Sequence, residues 1–179
     1  MDGLEGLFMK KSSPPPATPA RSKKRKSWQE KLDHDNGLPK VIQMEGRLEK
    51  QFGPGTMVVP APRAVDAKMK KVPLGKLTTI EAIRDRLASD HKTTTACGIT
   101  TGIFAWIAAH AAAELEADGA TEAKVTPYWR TLKTGGELNA KYPGGVEALR
   151  ERLENEGHEV YQKGKRWLVK GYEERLVRL

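Results

Sequence analysis

Cys97 is the only thiol in the chain, and thiol chemistry requires a thiolate generated beside a base. It lies a few residues before a predicted helix, whose N-terminal end would favour the thiolate, and His91 is the nearest histidine in sequence. The competing reading of an isolated cysteine is a small buried hydrophobe. One cysteine and four scattered histidines give no metal-ligand spacing, and no cofactor motif is present, so neither a metal nor a cofactor is expected. One further group could bind rather than react. Lys163, Lys165, Arg166 and Lys170 form a basic cluster suited to phosphates, or a solvated strand edge whose lysines discourage pairing.

The elements that must position these groups are mostly helices. Pro60 and Pro62 precede AVDAKMKKV, where proline is tolerated in a first helical turn. Gly75 then breaks the chain, and Thr79 is the expected N-cap of a helix in which Ile80, Ile83 and Leu87 form an apolar stripe. The alanine-rich segment from Thr100 to Ala117 predicts the strongest helix, with Ile103, Phe104, Ile107, Ala108, Ala111 and Leu115 as its apolar face. Trp106 and His110 share another face, available either to a groove or to the rim of a core. Few basic side chains sit on this helix, although a groove reader draws its donors from Arg, Lys, Asn and Gln. From His158 onward, Val160 and Trp167 to Val169 flank Lys163-Gly164-Lys165, the pattern of a β-hairpin.

The stretch TPYWRTLKTGGELNAKYPGG, Thr126 to Gly145, resembles the active-site loop of the methylated-DNA–protein-cysteine methyltransferases, which reads Pro-Cys-His-Arg, a Gly turn, Tyr-x-Gly-Gly and a helix. Upstream, Val65 to Asp90 resembles that family's opening helix, Pro-x-Gly turn and first helix of the helix-turn-helix. Downstream, Gly144 to Gly157 resembles its closing helix, so the resemblance spans roughly Ala61 to Gly157. It implies a mainly α winged helix-turn-helix domain with a small β-hairpin as the wing. The alkyl-accepting cysteine and its histidine are replaced by Tyr128 and Trp129, and a phenol of ordinary pKa near 10 or an indole cannot replace the thiolate. The non-enzymatic alkyltransferase-like proteins follow the same logic, with Trp at the cysteine position. The family's arginine that fills the gap left by a flipped base would fall near Ile99, and its tyrosine beside the flipped nucleotide near Ile80. Gly102, Arg130, Gly144, Gly145 and Glu156 match the family. Tyr128, Trp129, Arg130, Gly144 and Gly145 are therefore the expected base pocket.

Length and charge fit this frame. The 179 residues accommodate one core of ordinary size, and the net charge of +8 is compatible with nucleic acid. No apolar run reaches the length that spans a bilayer, and the N-terminus lacks the order of a signal peptide. The expected organisation is a disordered basic and Pro-rich tail over residues 1–30, an extended arm packed on the core over 31–60, and the alkyltransferase-like domain over 61–179. The run Lys23 to Lys26 suits phosphates or a nuclear address, or simply solvates the tail. The expected function is non-catalytic binding of double-stranded DNA with sensing of alkylated guanine for repair, by a monomer that hands lesions to repair proteins. Such a protein would be cytoplasmic, nucleoid-associated in a bacterium and nuclear in a eukaryote. The alternatives are a structural or protein-interaction domain and, more distantly, an alkyltransferase acting through Cys97.

Overall fold

The computed structural model describes residues 26–179, so the expected tail lies outside the described residues except for its last positions. In chain order the elements are α1 (Trp28–Asp33), β1 (Lys40–Gln43), α2 (Arg47–Phe52), β2 (Thr56–Val59), α3 (Pro62–Lys70), β3 (Thr78–Thr79), α4 (Ile80–Asp90), β4 (Thr95–Ala96), α5 (Gly98–Ala117), β5 (Thr131–Leu132), α6 (Gly145–Asn155), β6 (Val160–Lys163) and β7 (Arg166–Val169). The chain is mainly helical with small sheets and one hairpin, as its sequence predicts.

Residues 31–60 pack on the core, but not as an extended arm. β1 pairs antiparallel with β2, which in turn runs parallel to β4, with Met57 opposite Thr95 and Val58 opposite Ala96. The pairing that orders this segment is therefore with residues far along the chain, and a four-residue strand with two adjacent buried positions carries no alternation to reveal it. α1 begins inside the expected tail. Ser27 and Glu30 form a reciprocal capping box, and Glu114 of α5 accepts the backbone N–H groups of Trp28 and Gln29 at 3.1 and 2.9 Å.

Local signals hold well in the helices. Pro62 occupies the first turn of α3, and Thr79 Oγ1 accepts from the Ala82 N–H at 3.2 Å to start α4, where Ile83 and Leu87 are buried. α5 departs from its expected face. Thr101, Ala105, Ala108, Ala109, Ala111 and Ala112 are buried, whereas Ile103 is 47% exposed and Phe104, Ile107 and Leu115 are only partly covered. Small side chains let neighbouring helices approach closely, so the alanine face meets the core and the bulkier residues are left at its margins. The hairpin β6–β7 turns at Gly164, whose φ is +62°. It is anchored to the preceding loop by the Leu138 N–H, which donates to the Trp167 carbonyl at 2.9 Å.

Candidate functional site

Tyr128 and Trp129 are 2% and 1% exposed, which overturns the expectation that they line an open base pocket. They sit in a filled aromatic cluster, with ring centroids 5.3 Å apart and Tyr142 5.9 Å from Tyr128. The Arg152 guanidinium lies 4.4 Å from the Trp129 centroid and is itself held by two 2.9 Å hydrogen bonds to Glu116. Trp129 Nε1 donates to Glu156 at 2.6 Å, and Arg130 Nε donates to both Glu156 oxygens at 2.9 Å. Arg130 Nη1 also donates to the Val72 carbonyl at 2.8 Å, while the Gly75 N–H donates to Glu156 at 3.1 Å. Arg130 is thus a structural clamp joining the loop, α6 and the turn before α4. Burial alone would raise the Glu156 carboxyl, but the hydrogen bonds from Arg130, Trp129 and Gly75 hold it below the usual carboxylate range. Burial pushes the Tyr128 phenol upward, further from any nucleophilic form.

Gly144 and Gly145 shape the turn into α6. Both have positive φ, +77° and +67°, and a Cβ on Gly144 would fall 2.4 Å from that of Ala148.

The open space lies on another side of the same loop. A cleft of about 780 Å³ is bounded by the start of α4 (Ile80, Glu81), one face of α5 (Gly98, Ile99, Gly102, Ile103, Trp106) and the loop over residues 133–141. Its apolar floor is Ile80, Ile99, Ile103 and Trp106, and its polar wall carries Lys133, Thr134, Glu137, Asn139 and Lys141. Trp106 Nε1 donates to the Lys141 carbonyl at 3.0 Å, tying α5 to the loop. Glu81 accepts from the Thr134 hydroxyl, and Glu137 pairs with Lys133, so both carboxylates at the rim are engaged. Trp28 of α1 stacks on His110 at 4.4 Å and meets Trp106 edge-on at 4.8 Å. The Trp106 and His110 pair therefore packs against α1, and of the two only Trp106 lines the cleft. Ile80 and Ile99, the two positions where the family's functional side chains would fall, both reach this cleft.

Two solved structures are similar to this chain. One is S. pombe Atl1 in complex with damaged DNA containing O6-carboxymethylguanine, at 18% identity and a TM-score of 0.44; it covers 65% of this chain and 93% of that one. The other is S. pombe ATL in complex with DNA, at 16% identity and a TM-score of 0.45, with the same coverage. No family model matches the chain, and no curated protein matches it.

The basic hairpin adjoins the cleft wall. Glu137 bridges to Leu168 of β7, and Arg166 Nη1 lies 3.9 Å from the Glu137 carboxylate. Lys163 and Lys165 are exposed and make no ion pair among the described residues. Lys170 is partly neutralised by Glu159, 3.0 Å away, so it is the weakest member of the expected phosphate set. Cys97 is partly exposed at the N-cap of α5, but it does not line the cleft. Sequence reasoning missed the cleft because it assigned Ile103 to the core. The available signal was Gly98 and Gly102 one turn apart beside Ile99 and Ile103, since a Cβ on Gly102 would meet nothing within 4 Å.

His158 is buried with Nε2 unpartnered, and its pKa is lowered by burial, with Arg175 and Arg130 adding to the effect against the opposing pull of Glu156. His110 is lowered as well, chiefly by burial. In the unfolded chain these imidazoles take up protons near pH 6.5, whereas the folded protein resists them. Stability present above pH 6.5 is therefore lost as pH falls through the lowered folded values. Thermal melts between pH 7.5 and 5.5 should show Tm decreasing, with a shallower decrease in His158→Leu; an equal slope in that variant would remove His158 from the account.

Proposed function

We propose that this protein is a non-catalytic DNA-binding protein of the methylated-DNA–protein-cysteine methyltransferase kind, alkyltransferase-like in character, that senses alkylated guanine for repair. The observation that carries the reading is the open cleft on α5, adjoined by a basic hairpin; Tyr128, where the resemblance puts the nucleophile, is a buried phenol. In this reading α4 and α5 form the helix-turn-helix, α5 faces the major groove and β6–β7 is the wing. Lys163, Lys165 and Arg166 would rest on phosphates and set the register of the duplex. The cleft falls within the roughly 300–1,000 Å³ typical of ligand pockets and would receive a displaced base against an apolar floor. Its hydrogen-bonding groups come from the loop over residues 133–141, because the cleft face of α5 supplies apolar contacts. The partners are double-stranded DNA and DNA-repair proteins, the protein acts as a monomer, and its place is the cytoplasm or nucleus where the DNA is.

A second reading, a protein-interaction domain that retains the fold, is favoured by the sealed aromatic cluster and by Ile99 and Ile103 exposed at the cleft. Fluorescence-anisotropy titrations against a plain duplex and one carrying O6-methylguanine, at two salt concentrations, separate the readings. Lesion sensing gives tighter and less salt-sensitive binding to the modified duplex, weakened in Ile103→Glu, whose side chain stands in the cleft. Equal affinity for both duplexes would reduce the function to a basic surface, and absence of binding would favour the interaction domain. Intact mass after incubation with the modified duplex should be unchanged; a gain of one methyl group lost in Cys97→Ser would instead establish transfer to Cys97.

A further inference from the structure

We propose that residues 4–9 of this chain dock into the cleft on α5 of the same molecule and cover its floor with Leu4, Leu7, Phe8 and Met9. The floor is bare. Ile99 is 77% exposed and Ile103 47%, and together with Ile80 and Trp106 they line one concave surface. Apolar side chains gathered in this way, unlike those scattered singly, mark a binding site.

Position selects the occupant. Trp106 lines the cleft, and its ring centroid lies 4.8 Å from that of Trp28, so the described residues begin beside the cleft. α1 is fixed there by Glu114, which accepts from the N–H groups of Trp28 and Gln29, and by Gln29 Nε2, which donates to the Ala111 carbonyl at 2.7 Å. Residues 10–27 join this anchor to the apolar run. As a flexible connection they span about 20–25 Å on average, and about 60 Å when fully extended. The whole of α5 is only about 30 Å long, so every part of the cleft is within reach. A tether of this kind supplies an effective concentration on the order of millimolar, so a contact too weak to capture a free peptide is still made within the molecule.

Composition supplies the match. Apart from prolines, residues 10–27 carry no apolar side chain larger than alanine, so the run at 4–9 is an apolar island in a segment that otherwise favours water. Asp2 and Glu5 are the acidic residues among positions 1–27, and they flank or interrupt that island. The cleft wall answers with Lys133 and Lys141. Lys133 is paired with Glu137, whereas Lys141 makes no ion pair among the described residues. The docking itself needs no nucleic acid. Its consequence rests on the DNA-binding reading above: the run and a displaced base compete for one cleft, so apparent affinity for the lesion falls by the fraction of molecules whose cleft is free.

The test uses the full chain with a nitroxide attached through Gly3→Cys in a Cys97→Ser background, and follows paramagnetic broadening of N–H resonances. Broadening is expected at the Ile99 and Ile103 amides and at Trp106 Nε1–H, and should be lost when Leu7→Ser and Phe8→Ser are combined. No broadening at those groups, or broadening that survives the double substitution, overturns the docking. Equal broadening in a mixture where the nitroxide and the isotope label are on different chains assigns the run to the cleft of a second copy, and likewise overturns it. Anisotropy reads the consequence. The double substitution should tighten binding to the O6-methylguanine duplex about threefold to tenfold, and bound duplex should relieve the broadening. Broadening that persists with duplex bound upholds the docking and removes the lesion from the cleft. Broadening without any anisotropy change upholds the docking and overturns the DNA-binding reading instead.

Discussion

Glu156→Ala is expected to destabilise the protein by about 3–5 kcal/mol, because it strips the partner from a buried charge. Glu156 accepts from Trp129 Nε1, from Arg130 and from the Gly75 N–H, and both the carboxylate and the Arg130 guanidinium are largely withdrawn from water. Removing the carboxylate leaves a buried cation and an indole N–H with nothing to bond. For a chain of this size the loss corresponds to a fall in Tm on the order of 10 °C. Against a total stability of about 5–15 kcal/mol, that is a substantial fraction. Glu156→Gln keeps the shape and one acceptor oxygen but turns the other into a donor and removes the charge, and should fall between wild type and Ala. Acid works in the same direction. The folded carboxyl is held below its ordinary value, so its contribution is complete above the unfolded pKa and is lost as pH falls through the folded one. A Glu156→Ala melt within a degree of wild type would show that the clamp carries no net stability.

Neutralising Lys163, Lys165 and Arg166 together to Gln is expected to weaken DNA binding on the order of a hundredfold at about 0.1 M salt, and to flatten the slope of log K against log salt by roughly 3. All three side chains are exposed, and among the ion pairs of the described residues only the 3.9 Å contact between Arg166 and Glu137 is given up. A surface pair of this kind contributes about 0–1 kcal/mol, so the melting temperature should hardly move. The effect should be the same for plain and alkylated duplexes, since phosphate contacts position the protein without reading the base. An unchanged salt slope in the triple variant would detach the hairpin from the DNA interface. Comparison with Ile103→Glu tests the division of labour in the proposed function, in which the hairpin should set affinity for any duplex and the cleft the preference for the lesion.

These two experiments address surfaces that were unequally visible in the chain. Pro62 at the start of α3, Thr79 capping α4 and Gly164 in the hairpin turn were legible because each depends on neighbours within a few residues. The burial of Tyr128 and Trp129 was not legible, because it depends on Glu156 and Arg152, which are distant in sequence. The strand pairing of β2 with β4 was not legible either, because its partner residues are far apart in sequence and the strands are too short for a pattern.

What the sequence by itself determined is the order of helices and the hairpin with its cationic tip. The tertiary structure decided which way the decisive side chains face. Trp129 and Arg130 turn inward because Glu156, on the next helix, supplies the acceptor, and Arg152 covers the ring. Ile99 and Ile103 turn outward because the alanine face of α5 fits the core. Burial is set by partners brought together through space, and an apolar residue on a helix carries no mark of whether the surface opposite will be packed or left as a cleft.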